Sequence, residues 1–280
     1  MNHINHIVIE KNNRLLEIFD TGFSQHPAVV FAHGAGSNAM QFSAELEFLR
    51  SDFRVIAITL HGHANRFKNH TFSPEEFSLD KLAEDVILCM DSLNIDQFHF
   101  VGNSAGGLVG FELSKRFPGR LLSLCTFGTT AKLSFGKLAT RFFSGIDRLM
   151  ISIAPDAYLG FAAKISSGQA SVQGKIKALL LDACQATPYI RSQIGDYDYL
   201  DVIRVMELPY LLMQCEFDNE INKLLTETLQ AVEANPFAKT IFVEGAGHFA
   251  NLDQPAQFLD LIKDHLNQVG EEYKETKNGS

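Results

Sequence analysis

No tryptophan occurs among the 280 residues, no stretch is strongly basic, the four cysteines are scattered, and no apolar run is long. Each shortage removes a class of function. A helix needs about 18 consecutive apolar residues to cross a bilayer, and nothing here approaches that, so no membrane span is expected. Met1 to His6 lacks the charged region followed by an apolar one that marks an export signal. Lys and Arg number 24 against 33 Asp and Glu, a formal charge of -9, and no basic track is available to follow phosphates. Nucleic acid is therefore not an expected partner. Cys89, Cys125, Cys184 and Cys215 sit in apolar surroundings without close pairing, which suits thiols in a reducing, cytoplasmic compartment better than a disulfide framework or a zinc site. In the absence of tryptophan, 23 phenylalanines must fill the large apolar volumes of the core.

What is present is an alternation of strands and helices. Ile4 to Glu10 and Leu15 to Phe19 read as β-prone runs around the polar tetrad Lys11 to Arg14, an antiparallel hairpin at a sheet edge. Ala28 to Ala32 is a continuous apolar strand of the kind buried on both faces. Helical spacing covers Met40 to Arg50, with Phe42, Leu46 and Leu49 on one side, and Leu79 to Leu93, with Leu82, Val86, Met90 and Leu93. Strands are expected at Arg54 to Ile58, Phe98 to Val101, Leu121 to Phe127, Tyr210 to Gln214 and Thr240 to Val243, with helices at Ala105 to Phe117, Ile221 to Val232 and Pro255 to Leu266. Such alternation implies an α/β protein with a mostly parallel sheet covered by helices on both faces. It is interrupted over residues 130–191, which read as a helical insertion. The core is then 1–129 and 192–270, with a disordered polar tail over 271–280.

The strand Phe98 to Val101 runs into Gly102-Asn103-Ser104-Ala105-Gly106-Gly107. Glycines on both sides of Ser104 permit a turn too tight for a β-carbon, which exposes the hydroxyl between a strand end and a helix start as a nucleophile elbow. An unassisted hydroxyl is almost wholly protonated at neutral pH, so it needs a base, and the base needs a carboxylate. In this kind of sheet the chain order is Ser, then Asp or Glu, then His. His248, in the loop Gly245 to Phe249 after the last strand, fits the base; His265 falls in the terminal helix. Asp218 is the expected acid, with Glu216, nearer the strand, as the other candidate; Glu220 reads as the cap of the following helix. Attack creates an oxyanion that needs two fixed donors. The N-H of Ala105, next after the nucleophile, is the natural first, and Ala35 in His33-Gly34-Ala35-Gly36-Ser37 the second.

Two other readings fail on chemistry. Gly34-x-Gly36-x-x-Ala39 after a strand fits the loose dinucleotide fingerprint, but the next strand ends in Thr59-Leu60-His61 without the acid that would hold a ribose. His61-x-His63 has metallohydrolase spacing, yet Ala64-Asn65-Arg66 follows where further ligands should be.

Together, His33-Gly34-Ala35-Gly36-Ser37, the elbow at Ser104, Asp218 and Gly247-His248-Phe249 make the chain resemble the α/β-hydrolase superfamily in its esterase and lactonase branch, over nearly its whole length. The resemblance implies Ser104, Asp218 and His248 as triad, Ala35 and Ala105 as oxyanion donors, no cofactor, and the insertion as a cap over the pocket. Two positions depart from the family pattern: Thr59 ahead of Gly62-His63-Ala64-Asn65, where an Asp is frequent, and Cys215, where a glycine is frequent. Neither touches the triad. The elbow is also similar to that of hydrolases of carbon-carbon bonds in ring-fission products, but those usually add a tryptophan near the substrate, which this chain lacks. The expected substrate is a small or medium apolar ester or lactone. A slow-turnover ligand receptor on the same fold is the alternative from another class. Phe142, Phe143, Leu149 and Met150 of the insertion are the expected substrate contacts.

Overall fold

In the computed structural model, which describes residues 4–22, 25–65 and 70–278, an eight-stranded sheet runs β1-β2-β4-β3-β5-β6-β9-β10. The strands are β1 Asn5–Lys11, β2 Arg14–Asp20, β3 Ala28–Ala32, β4 Arg54–Thr59, β5 Phe98–Asn103, β6 Leu121–Phe127, β9 Tyr210–Cys215 and β10 Ala238–Val243. β2 pairs antiparallel with β1 and β4, and every other pairing is parallel. This is the α/β-hydrolase fold. The β1–β2 turn is made by Asn12 and Asn13, both with positive φ (52° and 61°), as a two-residue hairpin matched to sheet twist requires.

Alternation within the central strands sorts the core into two layers. Val30, Ala32, Ile56, Ile58, Phe98, Phe100 and Leu124 point to one face, under α2 (Leu79–Ser92) and α3 (Ala105–Arg116). Val29, Phe31, Val55, Ala57, Val101, Cys125 and Phe127 point to the other, where α1 (Ser43–Phe48) and α12 (Pro255–Asn278) bring Leu46, Phe258, Ile262 and Leu266. With both faces covered, all five residues of β3 are buried.

Between β6 and β9 the chain forms β7 (Lys132–Ser134), α4 (Lys137–Ile153), α5 (Pro155–Ser166), α6 (Ala170–Ala183), α7 (Thr187–Arg191), β8 (Asp196–Asp198) and α8 (Leu200–Val205). The antiparallel pair β7 and β8 closes the base of this excursion and was not foreseen, since three-residue strands carry too little periodicity to read. The helix expected over Ile221 to Val232 is broken into α9 (Asn219–Asn222) and α10 (Thr226–Glu233). α12 continues through most of the expected disordered tail. Glu271, Glu272, Lys274, Glu275 and Lys277 are strong helix formers; residues 279–280 lie outside the described residues. No helix among the described residues is long and apolar enough to cross a membrane.

One buried charge stands out. Glu45 of α1 is fully buried and neither carboxylate oxygen makes a hydrogen bond of normal geometry. Burial pushes its carboxyl from 4.5 to about 7, only partly offset by its own backbone and the Asn251 amide. Because the folded state holds this proton over a range where the unfolded chain releases it, stability falls as pH rises from about 4.5 through about 7. Glu45→Gln is expected to remove that loss, on the order of 3 kcal/mol at pH 8 and little at pH 4. Urea midpoints of both proteins at the two pH values measure it.

Candidate active site

Ser104 joins β5 to α3 with φ 52° and ψ -117°, a conformation costly for a residue with a β-carbon. The surrounding chain imposes it. A β-carbon on Gly106 would lie 2.2 Å from the Ala32 carbonyl oxygen, and one on Gly102 2.4 Å from the Gly106 carbonyl, so the strand and helix cross here only as glycines. The Ser104 N-H donates to the Phe127 carbonyl at 2.9 Å, and its own carbonyl accepts from Thr129 Oγ1 at 2.9 Å.

The loop after β3 is folded against this turn: a β-carbon on Gly34 would come within 2.9 Å of Ser104 Cβ. His33 holds the loop. Its Nε2 accepts from the Leu60 N-H at 3.0 Å, so the ring proton is on Nδ1, 2.8 Å from the Gly34 carbonyl. Burial, with the His63 ring beside it, keeps His33 well below its ordinary pKa and therefore neutral. Ala35 follows in this loop, and Ala105 is the first residue of α3, where the helix's own ladder leaves N-H groups unused.

His248 follows β10 in a loop held on three sides. Its N-H donates to the Ser166 carbonyl at 2.9 Å, its carbonyl accepts from Asn103 Nδ2 at 3.0 Å, and Asp253 accepts the Gly247 N-H at 2.7 Å while also taking the Ser167 hydroxyl. Nδ1 of the ring lies 2.8 Å from Asp218 Oδ2. Burial opposes a charge on the imidazole, but the Asp218 carboxylate outweighs it through charge and hydrogen bond, and His248 sits above its ordinary 6.5. Asp218 is itself buried, three residues past the end of β9. Glu216, the other candidate acid, turns away: its Oε2 accepts the Gly245 N-H at 2.8 Å.

Asn103 is the residue that the sequence did not single out. Besides holding His248, it donates to Phe127 and accepts from Gln41 Nε2 at 3.0 Å, and Gln41 is in turn linked to Ser37 and Asn251. The buried amides tie the loop after β3, the elbow and the His248 loop into one network. Its only sequence signal is an Asn inside the elbow pentapeptide.

The insertion approaches the site through α6 and α7. A β-carbon on Gly36 would meet Thr187 Oγ1 at 2.6 Å and Leu180 Cδ2 at 3.5 Å, Asn38 donates to Asp182 at 3.0 Å, and Gln185 donates to the Ala64 carbonyl at 2.9 Å. α4 does otherwise. Phe142, Phe143 and Leu149 are 66%, 50% and 57% exposed and Met150 is half-buried, while the helix turns Thr140, Ser144 and Asp147 inward. Ser144 donates to the Pro188 carbonyl and Asp147 accepts from Arg191 and Tyr158, which fixes the polar side of α4 inward and leaves Phe142, Phe143 and Leu149, three of the four expected substrate contacts, on its exposed side. His61 and His63 are spent on structure: His61 accepts the Leu15 N-H and faces Glu76, and His63 Nδ1 meets the His61 carbonyl. A cleft of about 530 Å³ at the β1–β2 turn, lined in part by Asn13, Arg14, His70 and Glu76, includes none of Ser104, Asp218 or His248.

Comparison with known proteins shows the family and the fold. The pattern defining the alpha/beta hydrolase family matches residues 29–261. The chain is 25% identical over 260 residues to a putative carbamate hydrolase RutD of Pseudomonas savastanoi pv. phaseolicola, covering 90% of this chain and 98% of that one. It is 23% identical to 3-oxoadipate enol-lactonase 1 of Acinetobacter baylyi, covering 96% of this chain and all of the relative. A thermophilic esterase from Thermogutta terrifontis shares the fold, with a TM-score of 0.79 at 18% identity over 95% of this chain and 99% of that one.

Proposed function

Because the chain belongs to the alpha/beta hydrolase family, we propose that it is a carboxylic ester hydrolase that cleaves a small or medium apolar ester or lactone through an acyl-enzyme on Ser104. The observation that carries this reading is the 2.8 Å contact of His248 Nδ1 with Asp218, in a loop tied by Asn103 to the strained turn that presents Ser104. Relatives named for lactone and carbamate hydrolysis support acyl transfer to water as the reaction class.

In this mechanism Ser104 Oγ attacks the substrate carbonyl while its proton passes to His248 Nε2. Asp218 stabilises the imidazolium and holds Nδ1-H in place. The oxyanion is received by the N-H groups of Ala35 and Ala105. The tetrahedral intermediate collapses, the leaving oxygen takes the proton from His248, and a water activated by the same ring then releases the acid. For a lactone both products stay in one molecule. No cofactor is needed for any step.

We assign residues 130–191 as a cap over this core, with the α6–α7 junction, Leu180 and Thr187, facing the substrate in place of the exposed side of α4. A reducing, cytoplasmic setting is supported by the burial of Cys89, Cys125 and Cys215 as thiols. Turnover of p-nitrophenyl esters and lactones of graded chain length tests the reading. Activity should climb by a factor of roughly four per methylene and then break where the pocket is full. Flat, negligible turnover with a tightly held ligand would indicate a receptor instead. Since the base must be neutral and its pKa is raised, the acid limb of kcat/KM is expected above pH 6.5.

A further inference from the structure

α4 is an amphipathic helix turned inside out. In a helix packed on a globular core the apolar stripe faces inward and the polar residues face water. Here the inward residues are Thr140, Ser144 and Asp147, whereas Leu138, Phe142, Ile146, Leu149 and Ile153, spaced three or four apart, are 84%, 66%, 37%, 57% and 66% exposed. The orientation is locked. Turning the stripe inward would strand Asp147 without Arg191 and Tyr158, and Ser144 without the Pro188 carbonyl. The packed neighbour α5 adds Phe161 and Ile165, one turn apart and each above 60% exposed.

The exposed charges of α4 itself have one sign, while the packed α5 adds an exposed Lys164 and an exposed Asp156 that is ion-paired with Lys177 at 2.8 Å. Every exposed charged residue of α4 is cationic, namely Lys137, Arg141 and Arg148, on a chain whose formal net charge is -9. A stripe of Leu, Ile and Phe bordered along one side by Lys and Arg is a composition that lies in the plane of an anionic lipid surface. We propose that the exposed face of α4 seats the protein reversibly on an anionic lipid bilayer, without spanning it. A bilayer supplies both things the face asks for, an apolar layer for the stripe and negative headgroups for its cationic border. A second copy docking antiparallel, about a two-fold axis across the helix, would instead set the two cationic borders against each other.

The test uses the full chain and co-sedimentation with vesicles of phosphatidylcholine alone or mixed with phosphatidylglycerol. The proposal expects binding about tenfold or more stronger on the mixed vesicles, weakening as salt is raised. Leu138→Glu with Ile153→Glu should lower that binding by about tenfold or more with an unchanged melting temperature, because both side chains already face water. Lys137→Glu with Arg141→Glu should remove the preference for anionic vesicles and provides the reading should the first pair fail to fold. Wild-type protein that stays in the supernatant with both vesicles overturns the proposal, as does equal binding to neutral and anionic ones. A dimer by light scattering that Leu138→Glu/Ile153→Glu splits, with no vesicle binding, also overturns it and assigns the face to a second copy.

Discussion

Ser104→Ala is expected to lower kcat for ester hydrolysis by several powers of ten, on the scale of about 10⁶ for loss of a triad nucleophile, while the melting temperature holds. The side chain takes no part in the contacts that shape the elbow, which run through the Ser104 N-H to Phe127, the Ser104 carbonyl to Thr129, and the glycines on either side. Alanine keeps the β-carbon and so asks nothing new of the turn. Binding of substrate and polarisation by Ala35 and Ala105 would persist, leaving a residual rate above that in water. Activity within tenfold of wild type would remove Ser104 from the mechanism.

Asp218→Asn should cost on the order of 10⁴ in kcat, as the corresponding change does in other triads. The amide fills the same space, but its NH₂ faces His248 Nδ1 as readily as its oxygen, so the proton can be driven to Nε2, the atom that must accept from Ser104. The change also removes the charge and hydrogen bond that raise the His248 pKa, and what activity remains should show its acid limb moved to lower pH. Glu216→Gln should do far less, since that carboxylate serves the Gly245 N-H, 2.8 Å away. Reversed results for the two variants would make Glu216 the acid.

How far such residues can be read before a structure depends on how local their signal is. The elbow is local: two glycines, a serine and the preceding apolar strand are adjacent, and steric closure at Gly102 and Gly106 leaves little choice. His248 was legible because it follows a strand in a glycine-flanked loop. Choosing Asp218 over Glu216 was not settled by spacing. The turn after Cys215, where the Asp218 N-H donates back to the Cys215 carbonyl, decides which carboxylate reaches the ring. The Gln41–Asn103–Asn251 network spans 210 residues of chain and has no periodicity at all.

α4 shows the opposite failure. Its apolar spacing is plain in the sequence, but periodicity says only that one side is apolar and leaves open whether that side meets the core. Ser144 donates to a partner 44 residues away and Asp147 accepts from one 11 residues away, which turns the apolar side outward and leaves Phe142, Phe143 and Leu149 exposed. The helix α12 runs on through the polar residues to Asn278, as a sequence rich in Glu and Lys can without an apolar stripe to mark it.

The measurement that bears most directly on the central claim is covalent capture. An alkyl phosphonate ester mimics the tetrahedral intermediate and stays on the nucleophile, so the treated protein, digested and examined by mass spectrometry, reports which residue attacks. The account predicts one adduct, on Ser104, formed in step with loss of esterase activity and absent in Asp218→Asn over the same interval. An adduct on another residue, or full inactivation with Ser104 unmodified, would contradict it.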